Sequence, residues 1–327
     1  MYKRQTSSKE TVKQAYTLAK AWGWTPKQYR KTLSALREYL NVIERNMSAN
    51  EWTKIDFEKV PSRASMIYRK AFFKHEQVRY QKYLNAVEKG EAKINSGVLF
   101  PYDLVDKVLN GQSDQTLDLQ WKNLPDYLKG NPRNMLAVCD VSGSMSGLPM
   151  SISISLGIYI AERNNGAFKN YFITYSEEPK LQKVIGNTLT QKVRNLQQHC
   201  AYSTNLQAVF TNLLDHAVKN KVSEKDMPEQ ILVITDVEFN HPQNGGTNLE
   251  SLQAKYKKAG YKVPQLVFWN VNSRKNNVPA TADEKGVLLI SGASPTVFNT
   301  LLSGKQYTPV DQMLETLNQD IYDSVVV

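Results

Sequence analysis

Asp140-Val141-Ser142-Gly143-Ser144 stands directly after a short apolar run, Met135 to Cys139. The spacing D-x-S-x-S puts one carboxylate and two hydroxyls on a single tight loop, with Gly143 allowing the backbone to turn between the serines. Ligands that offer only oxygen suit a hard cation. A small protein donor set with positions left over suits Mg²⁺, which keeps its waters and accepts an outside carboxylate or phosphate. Mn²⁺ and Ca²⁺ are the alternatives. Two more loops point to the same place: Tyr202-Ser203-Thr204-Asn205 precedes a helical pattern and offers the Thr204 hydroxyl, while Thr235-Asp236 ends a second apolar run and supplies another carboxylate. The candidate metal ligands are therefore Asp140, Ser142, Ser144, Thr204 and Asp236. A blander account of the first loop is a strand-to-helix turn in which Ser142 or Ser144 caps the following helix.

The same residues argue against catalysis. A haloacid-dehalogenase-like phosphatase pairs its strand-end aspartate with a second acid two positions on, and here that position is Ser142. Gly143-Ser144-Met145-Ser146-Gly147 has the glycines of a nucleophile elbow but centres Met145 between them. The histidines are His75, His199, His216 and His241, and only His199-Cys200 lies near a candidate loop. Adjacency in sequence does not make a nucleophile and its base. The sequence predicts a binding protein without enzymatic activity and with no small-molecule substrate.

These loops need a scaffold, and the pattern supplies one. Apolar runs at Met135 to Cys139, Tyr171 to Tyr175, Ile231 to Thr235, Leu266 to Trp269 and Val287 to Ile290 read as strands. Helical patterns at Ile152 to Asn164, Leu206 to Lys219, Leu249 to Ala259 and Val310 to Ile321 separate or follow them. Continuous apolar strands alternating with helices predict a doubly wound, mainly parallel sheet covered on both faces. Ligands of such sheets sit at the carboxyl ends of the strands, where Asp140 and Asp236 fall. Cys139 is expected to be a buried strand residue.

The first 130 residues read differently. Thr25-Pro26 is a helix start, and Leu33, Leu36, Leu40 and Ile43 recur at helical spacing as an apolar stripe. A second helix is expected from Pro61-Ser62 to Gly90, with Tyr68, Phe72, Phe73, Tyr80 and Tyr83 mostly packing a helical core. Gly130-Asn131-Pro132 marks the boundary, dividing the chain into a basic α-helical domain, 1–130, and an α/β domain, 131–327. Residues 1–93 hold 20 Lys and Arg against 9 Asp and Glu, a net of +11 in a chain whose total is +10. That asymmetry favours an anionic partner, and RNA is the reading preferred over a merely solvated basic face or an acidic protein. Candidate nucleic-acid contacts are Lys27, Arg30, Lys31, Arg37, Arg69, Lys70, Lys74 and Arg79. Two cysteines, no apolar run near the roughly 20 residues that span a bilayer, and no apolar stretch after Lys3-Arg4 predict a soluble cytoplasmic protein in a reducing compartment with no membrane partner.

The five candidate ligands, in this order and context, resemble the metal-ion-dependent adhesion site of a von Willebrand factor A domain over about residue 134 to the C-terminus. That resemblance implies that Ser142, Ser144 and Thr204 bind the metal through hydroxyls. Asp140 and Asp236 would bind it directly or through water, and one coordination position would stay open for an acidic group of a partner. Asp236 is followed by Val237-Glu238 rather than the glycine common in integrin-type members. Val60-Pro61-Ser62-Arg63-Ala64, Gly90-Glu91-Ala92-Lys93-Ile94-Asn95, Pro101-Tyr102-Asp103-Leu104-Val105, Thr235-Asp236-Val237-Glu238-Phe239 and Phe268-Trp269-Asn270-Val271 resemble the DUF2828 family over nearly the whole chain. The layout is similar to that of Ro-type RNA-binding proteins, which join a helical TROVE domain to a von Willebrand A domain. The expectation is a magnesium-dependent, Ro-like RNA-binding protein. The alternative is a protein–protein assembly module, phage or viral in setting, that binds an acidic partner through the metal.

Overall fold

The computed structural model describes residues 9–128, 134–176, 178–198, 206–236, 249–271, 287–291, 314 and 317–318. It divides into two compact units, 1–95 and 96–327.

In the first unit, α1 (Lys9–Ala21) and α2 (Pro26–Tyr39) are followed by the single-turn-and-a-half α3 (Ile43–Ser48) and the long α4 (Ser62–Lys89). The start of α2 follows the sequence. Thr25 Oγ1 accepts from the Gln28 amide at 3.2 Å, and Gln28 Oε1 accepts from the Thr25 amide at 2.7 Å, a reciprocal cap ahead of Pro26. The expected stripe does not form. The helix stops at Tyr39, Asn41 takes φ +47°, and Ile43 begins α3. Helix α2 buries none of its residues, and Leu40 stays 67% exposed. The core of this unit is aromatic instead. Phe57 sits 5.3 Å from Phe72 and 4.8 Å from Tyr80, ring centre to ring centre, and all three are buried. Trp52, Ile55, Val60, Met66, Leu84 and Val87 complete it. Tyr68, Phe73 and Tyr83 are half-buried around its edge. Helix α4 ends at Gly90, whose φ of +78° is the left-handed stop expected of a glycine there.

The second unit opens with α5 (Pro101–Leu109) and α6 (Gln115–Lys122). It continues with β1 (Met135–Cys139), α7 (Leu148–Arg163), β2 (Tyr171–Thr174), β3 (Leu181–Lys183), α8 (Leu189–Gln197) and α9 (Leu206–Lys219). It then runs through β4 (Gln230–Thr235), α10 (Leu249–Lys258), β5 (Gln265–Asn270) and β6 (Val287–Ser291). Packing divides the chain at 95/96, because α5 and α6 dock on the helices of this unit. Trp121 Nε1 donates to Glu162 Oε2 of α7 at 2.8 Å, the Leu189 amide of α8 donates to Asp118 Oδ1 at 2.7 Å, and Tyr159 OH of α7 donates to the Pro125 carbonyl. A closing helix over 310–321 falls largely outside the described residues.

The six strands form one mixed sheet in the order β3-β2-β1-β4-β5-β6, parallel except for β3, which pairs antiparallel with β2 at the edge. β1 and β4 are buried along their whole length, which explains their unbroken apolar sequence. Alternate residues face opposite sides. Leu136 and Val138 join Val209, Phe210 and Leu213 of α9 and Leu252 and Tyr256 of α10 in one core cluster. On the other side Cys139 lies against α7 at Gly157, where a Cβ would collide with the Cys139 Sγ. Among the described residues no helix is long and apolar enough to cross a membrane.

Candidate functional site

Strand order reverses between β1 and β4: the chain leaves β1 toward β2 and β3 on one side and continues from β4 to β5 and β6 on the other. Such a reversal of strand order is where sheets of this kind bind ligands, at the carboxyl ends of the strands. Their register pairs Cys139 with Ile234, and the Asp140 amide donates to the Ile234 carbonyl at 3.1 Å. Both candidate aspartates are thereby placed one step past adjacent strand ends.

Asp140 is fully buried. Its Oδ1 accepts from the Ser142 amide at 2.9 Å and its Oδ2 from Thr235 Oγ1 at 2.7 Å. The Ser142 and Ser144 hydroxyls lie 3.1 Å apart, and Ser144 Oγ donates to Asp236 Oδ1 at 2.9 Å across 92 residues of sequence. Two loops therefore converge, carrying two carboxylates and three hydroxyls into one hydrogen-bonded set. Ser142 is 7% exposed; Ser144 is open to solvent and Asp236 half-buried, so the set runs from the interior to the surface. Neither carboxylate has a basic partner among the described residues. A buried carboxylate held only by neutral donors is a poorly compensated charge.

Capping does not explain the serines. Helix α7 starts after Gly147, which takes φ +88° and provides no side-chain cap; the loop itself is a 3₁₀ turn over Gly143–Met145. Its turn is closed by the Met145 amide on the Ser142 carbonyl at 3.1 Å and anchored by the fully buried Met145. The turn expected at Gly143 is therefore present but does not require a glycine: a Cβ there meets nothing within 4 Å, and the left-handed φ belongs to Gly147 instead. Thr235 is the member of this hydrogen-bonded set that residue type and spacing alone do not single out. A hydroxyl closing an otherwise apolar strand, Gln230–Thr235, was the available signal.

Thr204 lies outside the described residues, as do His199, Cys200 and His241. Cys139 is buried, and burial followed by the charge of Asp140 pushes its thiol far above the usual range. Among the described residues no three His, Cys, Asp or Glu side chains gather in one place. Any cation at this site would therefore rest on hydroxyls beside the two aspartates.

The candidate nucleic-acid residues divide. Lys27, Arg30, Lys31 and Arg37 are exposed on α2, and Lys70 and Lys74 are exposed on α4. Two are engaged within the unit itself, Arg69 buried and Arg79 partly exposed. Arg69 is 2% exposed, on the buried stripe with Met66 and Phe72, and donates to the Met66 carbonyl. Arg79 donates to the carbonyls of Ile55 at 2.8 Å and Trp52 at 2.7 Å, pairs with Glu76 at 3.0 Å, and lies 4.4 Å above the Phe57 ring. It fastens the segment before α4 to that helix, so its charge is already engaged.

With the mixed α/β unit, the helical unit before it and the strand-end donor set established, comparison with known proteins places the chain. It belongs to the family DUF7788, a domain of unknown function, whose model matches residues 134–324. The model of a second domain of unknown function, DUF2828, matches residues 1–133. The expectation that DUF2828 extends over nearly the whole chain is thus corrected: its match ends where DUF7788 begins. The chain is 31% identical over 344 residues to the uncharacterized protein L728 of Acanthamoeba polyphaga mimivirus. The match takes in 99% of this chain and 60% of that protein, so the chain spans three fifths of that relative's length. Among solved structures it is similar to the Ro (RSR) protein of Deinococcus radiodurans. The TM-score is 0.42 and the identity 15%, over 91% of this chain and 68% of that one.

Proposed function

We propose that this chain is a non-enzymatic, cation-dependent binding protein with two working surfaces. The second unit would hold Mg²⁺, or Mn²⁺ or Ca²⁺ in its place, at a site of the von Willebrand A kind on a doubly wound sheet. The observation that carries this reading is the convergence of Asp140, Ser142, Ser144 and Asp236 beyond β1 and β4, with a buried carboxylate that has no basic partner among the described residues. The donor set fits a hard cation: every side chain in it offers oxygen, and too few are present to fill six positions. Asp140 and Asp236 would supply charge, Ser142, Ser144 and Thr204 neutral oxygens, and a position would remain for an acidic group of a partner. Thr235 holds Asp140 in orientation through its second carboxylate oxygen.

The first unit would engage RNA. Residues 1–95 carry 20 Lys and Arg against 9 Asp and Glu, while residues 96–327 carry 21 against 22. The positive excess of the chain therefore belongs wholly to the helical unit, and a field of that sign draws polyanions. Two measurements on the full chain test the proposal. Thermal unfolding should shift upward with Mg²⁺ by an amount equivalent to about 2.7 kcal/mol at a hundredfold excess over the dissociation constant. The shift should reverse with EDTA and be absent in Asp140→Asn. Binding of an RNA pool should fall by orders of magnitude between about 50 mM and about 200 mM salt. No cation-dependent shift refutes the metal site; no RNA retention at low salt refutes the RNA assignment.

A further inference from the structure

Eight of the sixteen exposed large apolar side chains among the described residues fall within 12–40, on α1, on α2 and on the residues that join or end them. A concentration of that kind marks a surface that meets something other than water. Leu18 and Trp22 stand one helical turn apart, the Trp22 amide donating to the Leu18 carbonyl at 3.1 Å. Trp22 is 57% exposed, and its ring centre lies 5.2 Å from that of Trp24. At the other end of α2, Leu36 and Leu40 share a face at a spacing of four, with Tyr39 beside them at 87% exposure. Cations border these side chains. Arg37 follows Leu36, Lys13 and Lys20 are exposed two turns apart on α1, and Lys27 and Lys31 are exposed on α2. Residues 9–40 hold seven Lys and Arg against two Asp and Glu. One of those two acids, Glu38, is paired with Arg45 at 2.9 Å.

We infer that the α1–α2 pair docks on an anionic membrane surface, its leucines and tryptophans in the acyl boundary and its cations at the lipid headgroups; the inference does not depend on the RNA reading. The mixture of side chains selects the occupant. Cations alone suit any polyanion. RNA offers bases to tryptophan and phosphates to lysine, but nothing that buries the aliphatic Leu18, Leu36 and Leu40. An acidic protein surface matches the cations and leaves those leucines facing charge. A second copy of this chain covers leucine with leucine but sets seven cations against seven. An anionic bilayer takes all three kinds of side chain together: leucines below the headgroups, indoles at the boundary of apolar and wet, lysines and arginines at the phosphates. The expectation of no membrane partner rests on the lack of a spanning run. A helix that lies in the interface needs amphipathicity, not length.

The test is sedimentation of the full chain with vesicles of phosphatidylcholine and phosphatidylserine, read together with tryptophan emission. Trp52, Trp121 and Trp269 are already buried, so a vesicle-dependent blue shift reports Trp22 and Trp24. The wild type should sediment and shift with these vesicles but not with phosphatidylcholine alone, and salt should weaken the binding. Lys13→Ala with Lys20→Ala should lower vesicle affinity by about fivefold for each lysine removed, and Lys13→Arg with Lys20→Arg should keep it. Leu18→Ser with Leu40→Ser should weaken vesicle binding while leaving thermal unfolding and RNA binding unchanged, since both leucines are exposed. A wild type that neither sediments nor shifts, equal binding to phosphatidylcholine alone, or variants that bind as the wild type does would each overturn the proposal. RNA binding lost in the leucine variant would overturn it in favour of RNA on this face. Vesicle binding by a chain that retains no RNA upholds it and refutes the RNA reading alone.

Discussion

The two compact units deal with charge in opposite ways. In residues 1–95, a net of +11 is carried largely by side chains on the outer faces of α2 and α4, where each cation remains hydrated and contributes mainly to a long-range field. In residues 96–327 the 21 cations and 22 anions nearly cancel, and the group that matters is one carboxylate, Asp140, at 0% exposure. A diffuse surface charge attracts many polyanions, tolerates substitution and weakens with salt. A buried carboxylate set among hydroxyls is local, geometry-dependent and nearly blind to salt. On the proposed reading the first would serve capture and the second discrimination, each at a different structural level: helix faces in one unit, strand ends in the other.

The largest effect that could break this contrast comes from the exceptions within the first unit. Arg79 looks in sequence like a surface cation but serves Ile55, Trp52 and Glu76. Arg79→Ala should destabilise the first unit by about 2–3 kcal/mol, since it strips charged donors from two carbonyls, and denaturant unfolding followed by tryptophan fluorescence would report it. Next comes Gly157→Ala in the second unit, where the added methyl meets Cys139 Sγ and Leu196. Overpacking there should cost about 1–3 kcal/mol. Adding Cys139→Ala should recover much of that loss, and an unchanged cost in the double variant would show that the contact is not the cause. The smallest effect sharpens the contrast: Lys70→Ala and Lys74→Ala should change stability by no more than about 0.5 kcal/mol while lowering RNA affinity. A loss of stability as large as that of Arg79→Ala would mean these lysines are structural too.

Much of the second unit was legible because period and composition agree there. The apolar runs of β1 and β4 are buried on both faces, so the sequence spells them without interruption, and the residue after each run lands at a strand end. The edge strand β3, Leu181–Lys183, was not legible: two half-buried residues and an exposed lysine on an antiparallel edge leave no apolar run to read. The α2 stripe misled because helical periodicity of apolar residues states which face is apolar, not whether anything covers it. Burial of Arg69 was hidden for a related reason. A long side chain can lie along an interior stripe and satisfy its donors on nearby carbonyls, here that of Met66, and nothing in local composition marks that arrangement. At the candidate site the aspartates and serines were readable from type and spacing. The role of Thr235 required the sheet, since only the register of β4 against β1 brings its hydroxyl to Asp140.

The most direct test of the cation site is a count of bound metal. Electron paramagnetic resonance of free Mn²⁺, titrated against the full chain, should show one site per chain at the carboxyl ends of β1 and β4. That site should be lost in Asp140→Asn, weakened in Ser144→Ala and Asp236→Asn, and displaced by excess Mg²⁺. Mn²⁺ that stays free in the presence of the wild type, or binds Asp140→Asn as tightly, would contradict the account.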